Sequence, residues 1–269
     1  MQAGSARAQT ALLEGVDQVL AGEVDAGLLA RELFQVVDAV DANPALRRAF
    51  TEPIVPAEAR RAIARSLLSD KVSESTVQVV EAAVAERWSR SRDLVDALEW
   101  CAVTCEATRA DAEGQLDAVE DDLFRFGRVL ETSPQLREAL SDRVAPMSAK
   151  QQLVRSLVED KVSPSTLDLL LQLATGRQRS LAGGLELYSE ILAARRQRLV
   201  ATAWVAVSLS DDQRTRITDN LAAQYGREVH LNVIVDPAVL GGVRIAIGDD
   251  VIDSTIQTRL ALAQRQLIR

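Results

Sequence analysis

Residues 46–77 read LRRAFTEPIVPAEARRAIARSLLSDKVSESTV, and residues 136–167 read LREALSDRVAPMSAKQQLVRSLVEDKVSPSTL. The offset is 90 residues, without a gap, and fourteen of the first thirty-one positions are identical. The shared residues include Pro56/Pro146, Arg65/Arg155, Leu67/Leu157, Asp70/Asp160, Lys71/Lys161 and Thr76/Thr166. A register kept over that length marks an internal repeat, and a repeat decides architecture before any local reading does.

Each copy carries the same punctuation. Asn43-Pro44 and Ser133-Pro134 pair a capping side chain with a proline in the first helical position, where the missing N–H costs nothing. Ser73 and Ser163-Pro164 open a later helix in the same way, and Pro56 and Pro146 stand before a shorter one. Upstream, Leu29, Leu33, Val36, Val37 and Val40 fall at helical spacing, matched by Val119, Leu123, Phe126, Gly127 and Leu130, with Gly127 the weak match. Stripes at i, i+3, i+4 and i+7 define amphipathic helices that pack together. Helices are expected near 5–21, 26–41, 44–50, 56–68, 73–87 and from 91 onward, then near 115–131, 134–140, 147–158, 164–175 and 179–198.

The first helix of the second copy should fall at 95–111, which already belongs to the last helix of the first copy. One helix is therefore expected to serve both bundles. Between Asp93 and Arg125 there is no proline, and Gly114 is the single weak point. A continuous helix there would run about 50 Å at 1.5 Å per residue and stack the bundles as a short rod; a break at Gly114 is the competing arrangement.

After Arg198 the pattern changes. Residues 199–207 (LVATAWVAV) favour a strand, and Ser210-Asp211-Asp212-Gln213 forms a capping box with two acids in the first turn. Ile217, Leu221 and Tyr225 make the apolar stripe of that helix, and Gly226 closes it. Val229, Leu231, Val233 and Val235 alternate in a second strand, and Val243, Ile245 and Ile247 in a third. Asp253-Ser254 is placed to cap a final helix bearing Ile256, Leu260, Ala263 and Leu267. The predicted fold is mainly α with a small α+β C-terminal domain: two stacked helical bundles of a duplicated six-helix type, sharing a helix, then a βαββα domain. The corresponding domains are 1–110, 111–198 and 199–269.

Composition narrows function. The 269 residues carry a formal net charge of −8, which argues against a nucleic-acid groove. Aromatic residues make up only 3%, so the core must be filled by Leu, Val, Ile and Ala, which suits packed helices. Cys101 and Cys105 lie four apart on a helical pattern without a surrounding ligand set and are expected as small core residues in a reducing compartment. The start lacks a secretory apolar region, and no apolar run approaches the ~18 residues of a spanning helix, so a soluble protein is expected.

Chemistry is sparse. His230 is the single histidine, placed in a predicted strand beside Asn232 and away from any nucleophile pattern. There is no P-loop, and Gly183-Gly184 and Gly241-Gly242 are too few for a dinucleotide turn. The acidic pairs Asp121-Asp122, Asp211-Asp212 and Asp249-Asp250 lack matching ligands and suit solvated faces, helix starts or turns. No catalytic residue, cofactor or metal site is expected. The one basic patch is Arg87, Trp88, Arg90 and Arg92, absent from the second copy, which is read as about three residues shorter near 175–179. It is either a solvated turn or a contact with an acidic partner surface.

The C-terminal segment REVHLNVIVDPAVLGGVRIAIGDDVIDSTIQTRLALAQRQL resembles that of the delta subunit of F-type ATP synthase, the family of the mitochondrial oligomycin-sensitivity-conferring protein. The residues that carry the resemblance are Asp236, Leu240, Gly241, Gly242, Val243, Gly248, Asp249, Val251, Asp253, Ser254 and Leu260. All are expected to be fold-defining: Gly241 and Gly242 for positive φ or close backbone approach, Asp253 and Ser254 as caps. The helical repeat also resembles the family's N-terminal domain, and the duplication resembles the family's long form. The resemblance implies a non-catalytic peripheral-stalk (stator) subunit, one copy per complex. Its partners would be the N-terminal helices of alpha subunits and the b subunits, and its place the cytoplasmic face of the cell membrane, peripherally. It would link the catalytic head to the stalk and resist rotational torque during proton-driven ATP synthesis. An apolar groove for a partner helix is expected near Leu33, Val37 and Val80, or near Leu123, Leu169 and Leu173, positions that also suit a bundle core. The alternative is a free-standing helical-repeat adaptor, which would have no need of the βαββα end.

Overall fold

The computed structural model describes residues 3–142, 144–177, 180–197, 199–226, 229–237, 239, 241–247 and 250–253. The chain divides into two compact units, residues 1–193 and 194–269.

The first unit is helical. It contains α1 (Ala3–Leu20), α2 (Ala26–Ala42), α3 (Pro44–Thr51), α4 (Ala57–Leu68), α5 (Glu74–Ala85) and α6 (Ser91–Ala112). These are followed by α7 (Leu116–Thr132), α8 (Pro134–Ser141), α9 (Met147–Val158), α10 (Pro164–Leu173) and α11 (Leu181–Gln197), which runs to the second unit. The starts of α7 to α11 lie 90 residues after those of α2 to α6. That register extends through α11, so the second copy is not shortened near 175–179: α6 and α11 begin at Ser91 and Leu181.

Capping explains the bounds. Asn43 Oδ1 accepts from the backbone N–H groups of Ala45 and Leu46, and Ser73 and Ser163 each accept from the N–H of a threonine three residues on. An acid one helix away reinforces the serine caps. Ser73 Oγ and Thr76 Oγ1 both donate to Glu32 at 2.6 Å, and Thr166 Oγ1 donates to Asp122, ninety residues after Glu32, at 3.1 Å. The other end of α5 is capped by a buried cation. Arg60 donates to the carbonyls of Val84 (2.6 Å) and Ala85 (2.9 Å), and Lys150 holds the equivalent buried position in the second copy.

The continuous helix across 93–125 does not form. Helix α6 stops at Ala112, and Gly114 takes a φ of +65°. Gln115 N then donates back to Ala110 O at 2.7 Å, a closing bond that the left-handed glycine makes possible. Helix α6 is buried over most of its surface, with Asp93, Glu99 and Glu106 among its buried residues. Leu94, Val95, Leu98, Cys101, Ala102, Val103 and Cys105 are fully buried. It packs on α1, α2, α3 and α5 and also on α7 and α10, so a single core runs through the whole unit.

The second unit has β1 (Leu199–Val205), α12 (Asp211–Tyr225), β2 (Val229–Val235), β3 (Val243–Ile247) and β4 (Asp250–Asp253). The sheet order is β2-β1-β3-β4. β1 and β2 are parallel, as a strand–helix–strand crossover requires, while β3 runs antiparallel to β1 and β4 to β3. Ser210 and Gln213 make both halves of the capping box. Ala201, Ala203, Val229, Leu231, Ile245 and Ile247 fill one face together with Leu221 of α12. Val235, expected on that face, is half exposed at the strand end. On the other face Arg244 lies 5.6 Å over the ring of its cross-strand partner Trp204. The fourth strand is a correction to the three expected: the short DVID run pairs with β3 before the chain reaches Ser254. The predicted terminal helix lies outside the described residues.

Candidate interaction surfaces and the joint between repeats

Two polar clusters hold α6 to the second copy. In the first, Arg177 is buried after α10 and pairs with Glu99 and, at 2.6 Å, with Asp96. The hydroxyl of Tyr188 on α11 donates to Glu99 at 2.7 Å. Beside them Gln172 of α10 donates to Asp38 of α2 at 3.1 Å. Burial raises the Asp38 carboxyl above its ordinary range, the Gln172 bond and Arg177 opposing. Burial likewise raises the Tyr188 hydroxyl, Arg177 again opposing.

The second cluster lies further along α6. Glu106 is fully buried, and neither of its carboxylate oxygens makes a hydrogen bond within the protein. Arg109 Nη1 stands 3.6 Å from Glu106 and 3.5 Å from Asp168 of α10, and Arg31 of α2 reaches Asp168 at 3.8 Å. Burial, with Asp168 beside it, pushes Glu106 up to about 8 against the pull of Arg109 and Arg31. Burial raises Asp168 as well, with Arg31 and Arg109 opposing. Glu32 goes the other way: burial would raise it, but the donors from Ser73 and Thr76 together hold it below the usual carboxylate range.

The six positions expected to line a groove are core. Leu33, Val37, Val80, Leu123, Leu169 and Leu173 are all at most 2% exposed, because the stripe that faces a partner helix in a bundle is the same stripe that fills the bundle. One of them touches an opening. Leu123 lies at the floor of a cleft of about 340 Å³ between α7, α8 and the first half of α11, with Phe124, Gly127, Leu130, Leu181 and Leu185. Gly127 stands where the first copy has Val37, and a Cβ there would meet Leu185 Cδ1 at 3.5 Å. The missing side chain leaves the space. Arg128, Arg137, Glu131 and Glu186 rim it.

The arginine patch is tied down locally. Trp88 Nε1 donates to Ala83 O at 2.8 Å, closing the end of α5, and Arg90 pairs with Asp93 at 2.8 Å. Arg92 reaches Asp41 at 3.7 Å, and Arg87 is exposed. Cys101 and Cys105 are buried and form no disulfide, and burial pushes the Cys101 thiol up, out of reach of thiolate chemistry. Among the C-terminal motif residues, Gly241 and Gly242 take φ of +66° and +85°, and Val243 opens β3 opposite Val205. Asp236 N donates to Val205 O at 2.8 Å. Val251 and Asp253 lie in β4; Leu240, Gly248, Asp249, Ser254 and Leu260 are outside the described residues. His230 sits in β2. Among the described residues, none form a group of three or more His, Cys, Asp or Glu that could hold a metal, and no helix is long and apolar enough to cross a membrane.

A helical scaffold interlocked through one central helix, ending in a four-stranded mixed unit, is the class these features define. The sequence matches the ATP synthase delta (OSCP) subunit family over residues 106–267. It is 43% identical over 269 residues to a Streptomyces griseus protein named ATP synthase subunit delta, covering 99% of each chain. Relatives of the same name from Streptomyces coelicolor and Kineococcus radiotolerans are 44% and 41% identical, again over 99% of this chain. A chain in a Toxoplasma gondii mitochondrial ATP synthase hexamer is similar over 62% of this chain and 97% of its own, at 20% identity and a TM-score of 0.27, too loose a likeness to carry structural argument. The chain belongs to the ATP synthase delta (OSCP) subunit family.

Proposed function

We propose that the protein is a non-catalytic peripheral-stalk subunit of F-type ATP synthase. On this reading it links the N-terminal helices of alpha subunits in the catalytic head to the b subunits and resists the torque of rotation. It sits peripherally at the cytoplasmic face of the membrane. The observation that carries the reading is relatedness over the full chain: 43% identity across 99% of a protein named ATP synthase subunit delta. A free-standing adaptor would have no reason to keep both the repeat and the C-terminal unit in the proportions of those relatives.

The helical unit on this reading is two six-helix bundles, α1–α6 and α6–α11, with α6 common to both. The bundle domains at 1–110 and 111–198 then meet at the end of α6, and the third begins with β1. A stator needs stiffness, and α6 supports it because most of its side chains, among them Leu94, Leu98, Cys101, Cys105 and Ala110, are fully buried in the core of the unit.

The test is calorimetric titration of the purified chain with a synthetic peptide of the alpha-subunit N-terminus from the same organism, together with co-purification with the membrane-bound synthase. Micromolar binding and co-purification are expected. No binding at high micromolar concentration, with no co-purification, overturns the stalk reading.

A further inference from the structure

Along α2, Arg31, Phe34 and Asp38 form one stripe, and α10 lies against it. Arg31 reaches Asp168 at 3.8 Å, Asp38 accepts from Gln172 at 3.1 Å, and Phe34 between them is 6% exposed. Ninety residues on, α7 carries Asp121, Phe124 and Arg128 at the same three positions. The phenylalanine is kept, and both charges are reversed. No helix of the described chain covers this second stripe: Phe124 is 70% exposed, and Asp121 and Arg128 are exposed beside it. The cleft left by Gly127 opens alongside, with Phe124 and Arg128 on its wall. The first copy therefore displays the covered state of a face that the second copy leaves open.

We infer that the α7 face is a docking site for one amphipathic helix of another subunit. That helix carries an apolar stripe flanked by a basic residue and, four positions later, an acidic one. The charge order follows from the internal precedent. Asp168 and Gln172 of α10 meet Arg31 and Asp38, so a helix meeting Asp121 and Arg128 needs a cation in the place of Asp168 and an anion in the place of Gln172. A large apolar side chain of the incoming helix fills the cleft beside Phe124, as Val37 fills the equivalent space in the first copy. A second copy of this chain does not meet these needs. Its α10 is already packed against α2, and its α5 offers Gln78 and Ala82 at the corresponding positions, neither charged. The inference stands on the repeat and not on the stalk reading.

The test uses the full-length chain and a 20-residue Ala/Leu amphipathic helical peptide with one Lys–Glu pair four apart beside its leucine stripe. A control peptide has the Lys and Glu exchanged. Fluorescence anisotropy is expected to show micromolar binding of the first peptide and about fivefold weaker binding of the control, a ratio in keeping with exposed ion pairs. Phe124→Ala and Gly127→Val should each weaken binding about tenfold while leaving the circular dichroism unchanged. The double variant Asp121→Arg/Arg128→Asp should invert the preference between the two peptides. Equal binding of both peptides, binding that survives Phe124→Ala and Gly127→Val, or no inversion in the double variant overturns the proposal. So does sedimentation showing a dimer of the chain that Phe124→Ala dissolves.

Discussion

Helices α2 and α7 occupy the same place in the 90-residue repeat and differ most where their sequences agree. Phe34 and Phe124 are the same residue at the same position, yet one is 6% exposed and the other 70%. Val37 is fully buried, and Gly127, its counterpart, opens a cleft. The local sequence sets the helix and the direction of each side chain. What covers a face is set by the copy that follows it in the chain. The first copy is followed by a second, whose α10 closes over α2. The second is followed by a different unit, and its homologous face is left with the composition of an interface.

Several measurements would break or sharpen this contrast. The most severe removes α6 from the second copy. A fragment of residues 115–198 should show little helical dichroism, whereas one of 1–114 should unfold cooperatively; two stable, helical fragments would refute the shared helix. Next comes the joint. Arg177→Ala leaves Glu99 buried without its cation and should cost about 3–5 kcal/mol by urea denaturation. If Arg177 couples the copies, a single transition should also split in two. The phenylalanines should then separate: Phe34→Ala should cost about 3–4 kcal/mol and Phe124→Ala under about 0.5 in the isolated chain.

Glu106 gives a pH signature with a definite sign. Its folded value is raised from 4.5 to about 8, so the folded state holds a proton that the unfolded state releases. Its favourable contribution is complete below about pH 4.5 and is lost as pH rises toward 8. Asp38 and Asp168, also raised, add the same slope at lower pH, and Glu32, lowered, opposes it. Glu106→Gln should flatten the decline and stabilise the chain by about 2 kcal/mol at pH 8, tested by denaturation across pH 5–9. A modest gain is expected of Gly127→Val, which should stabilise the chain by about 1 kcal/mol as it replaces a helical glycine and fills the cleft with the first copy's own residue.

Much of the fold was legible because its signals are local. Asn43, Ser73 and Ser163 placed helix starts within a residue or two, since a cap acts on the N–H groups next to it, and at Ser133-Pro134, where the serine side chain makes no capping bond, the proline alone marks the start. The ninety-residue register did the rest. The features that were missed depend on distant partners. The Arg177–Glu99 pair spans 78 positions and the Gln172–Asp38 bond 134, and no periodicity announces either. Nothing in the sequence sets Arg60 apart from a surface cation on a short helix; its burial depends on carbonyls about 25 residues further on. The groove residues were misplaced because an apolar stripe cannot say whether its partner belongs to the same chain. A readable signal for the open face did exist: the reversal of charge from Arg31 and Asp38 to Asp121 and Arg128 around a constant phenylalanine.

The common helix also fixes how such a chain can be counted. Two free-standing six-helix bundles would need twelve helices; the described residues of this unit form eleven. A ladder in which each new cell borrows the last rung of the one before needs five helices per cell and one to begin. Here α11 is the unborrowed last rung. Extending the ladder would take five helices inserted between α11 and β1, and shortening it would mean removing α2–α6 or α7–α11 as a block. A cut anywhere else would take a rung from two cells at once, so changes in length by this route come in steps of ninety residues.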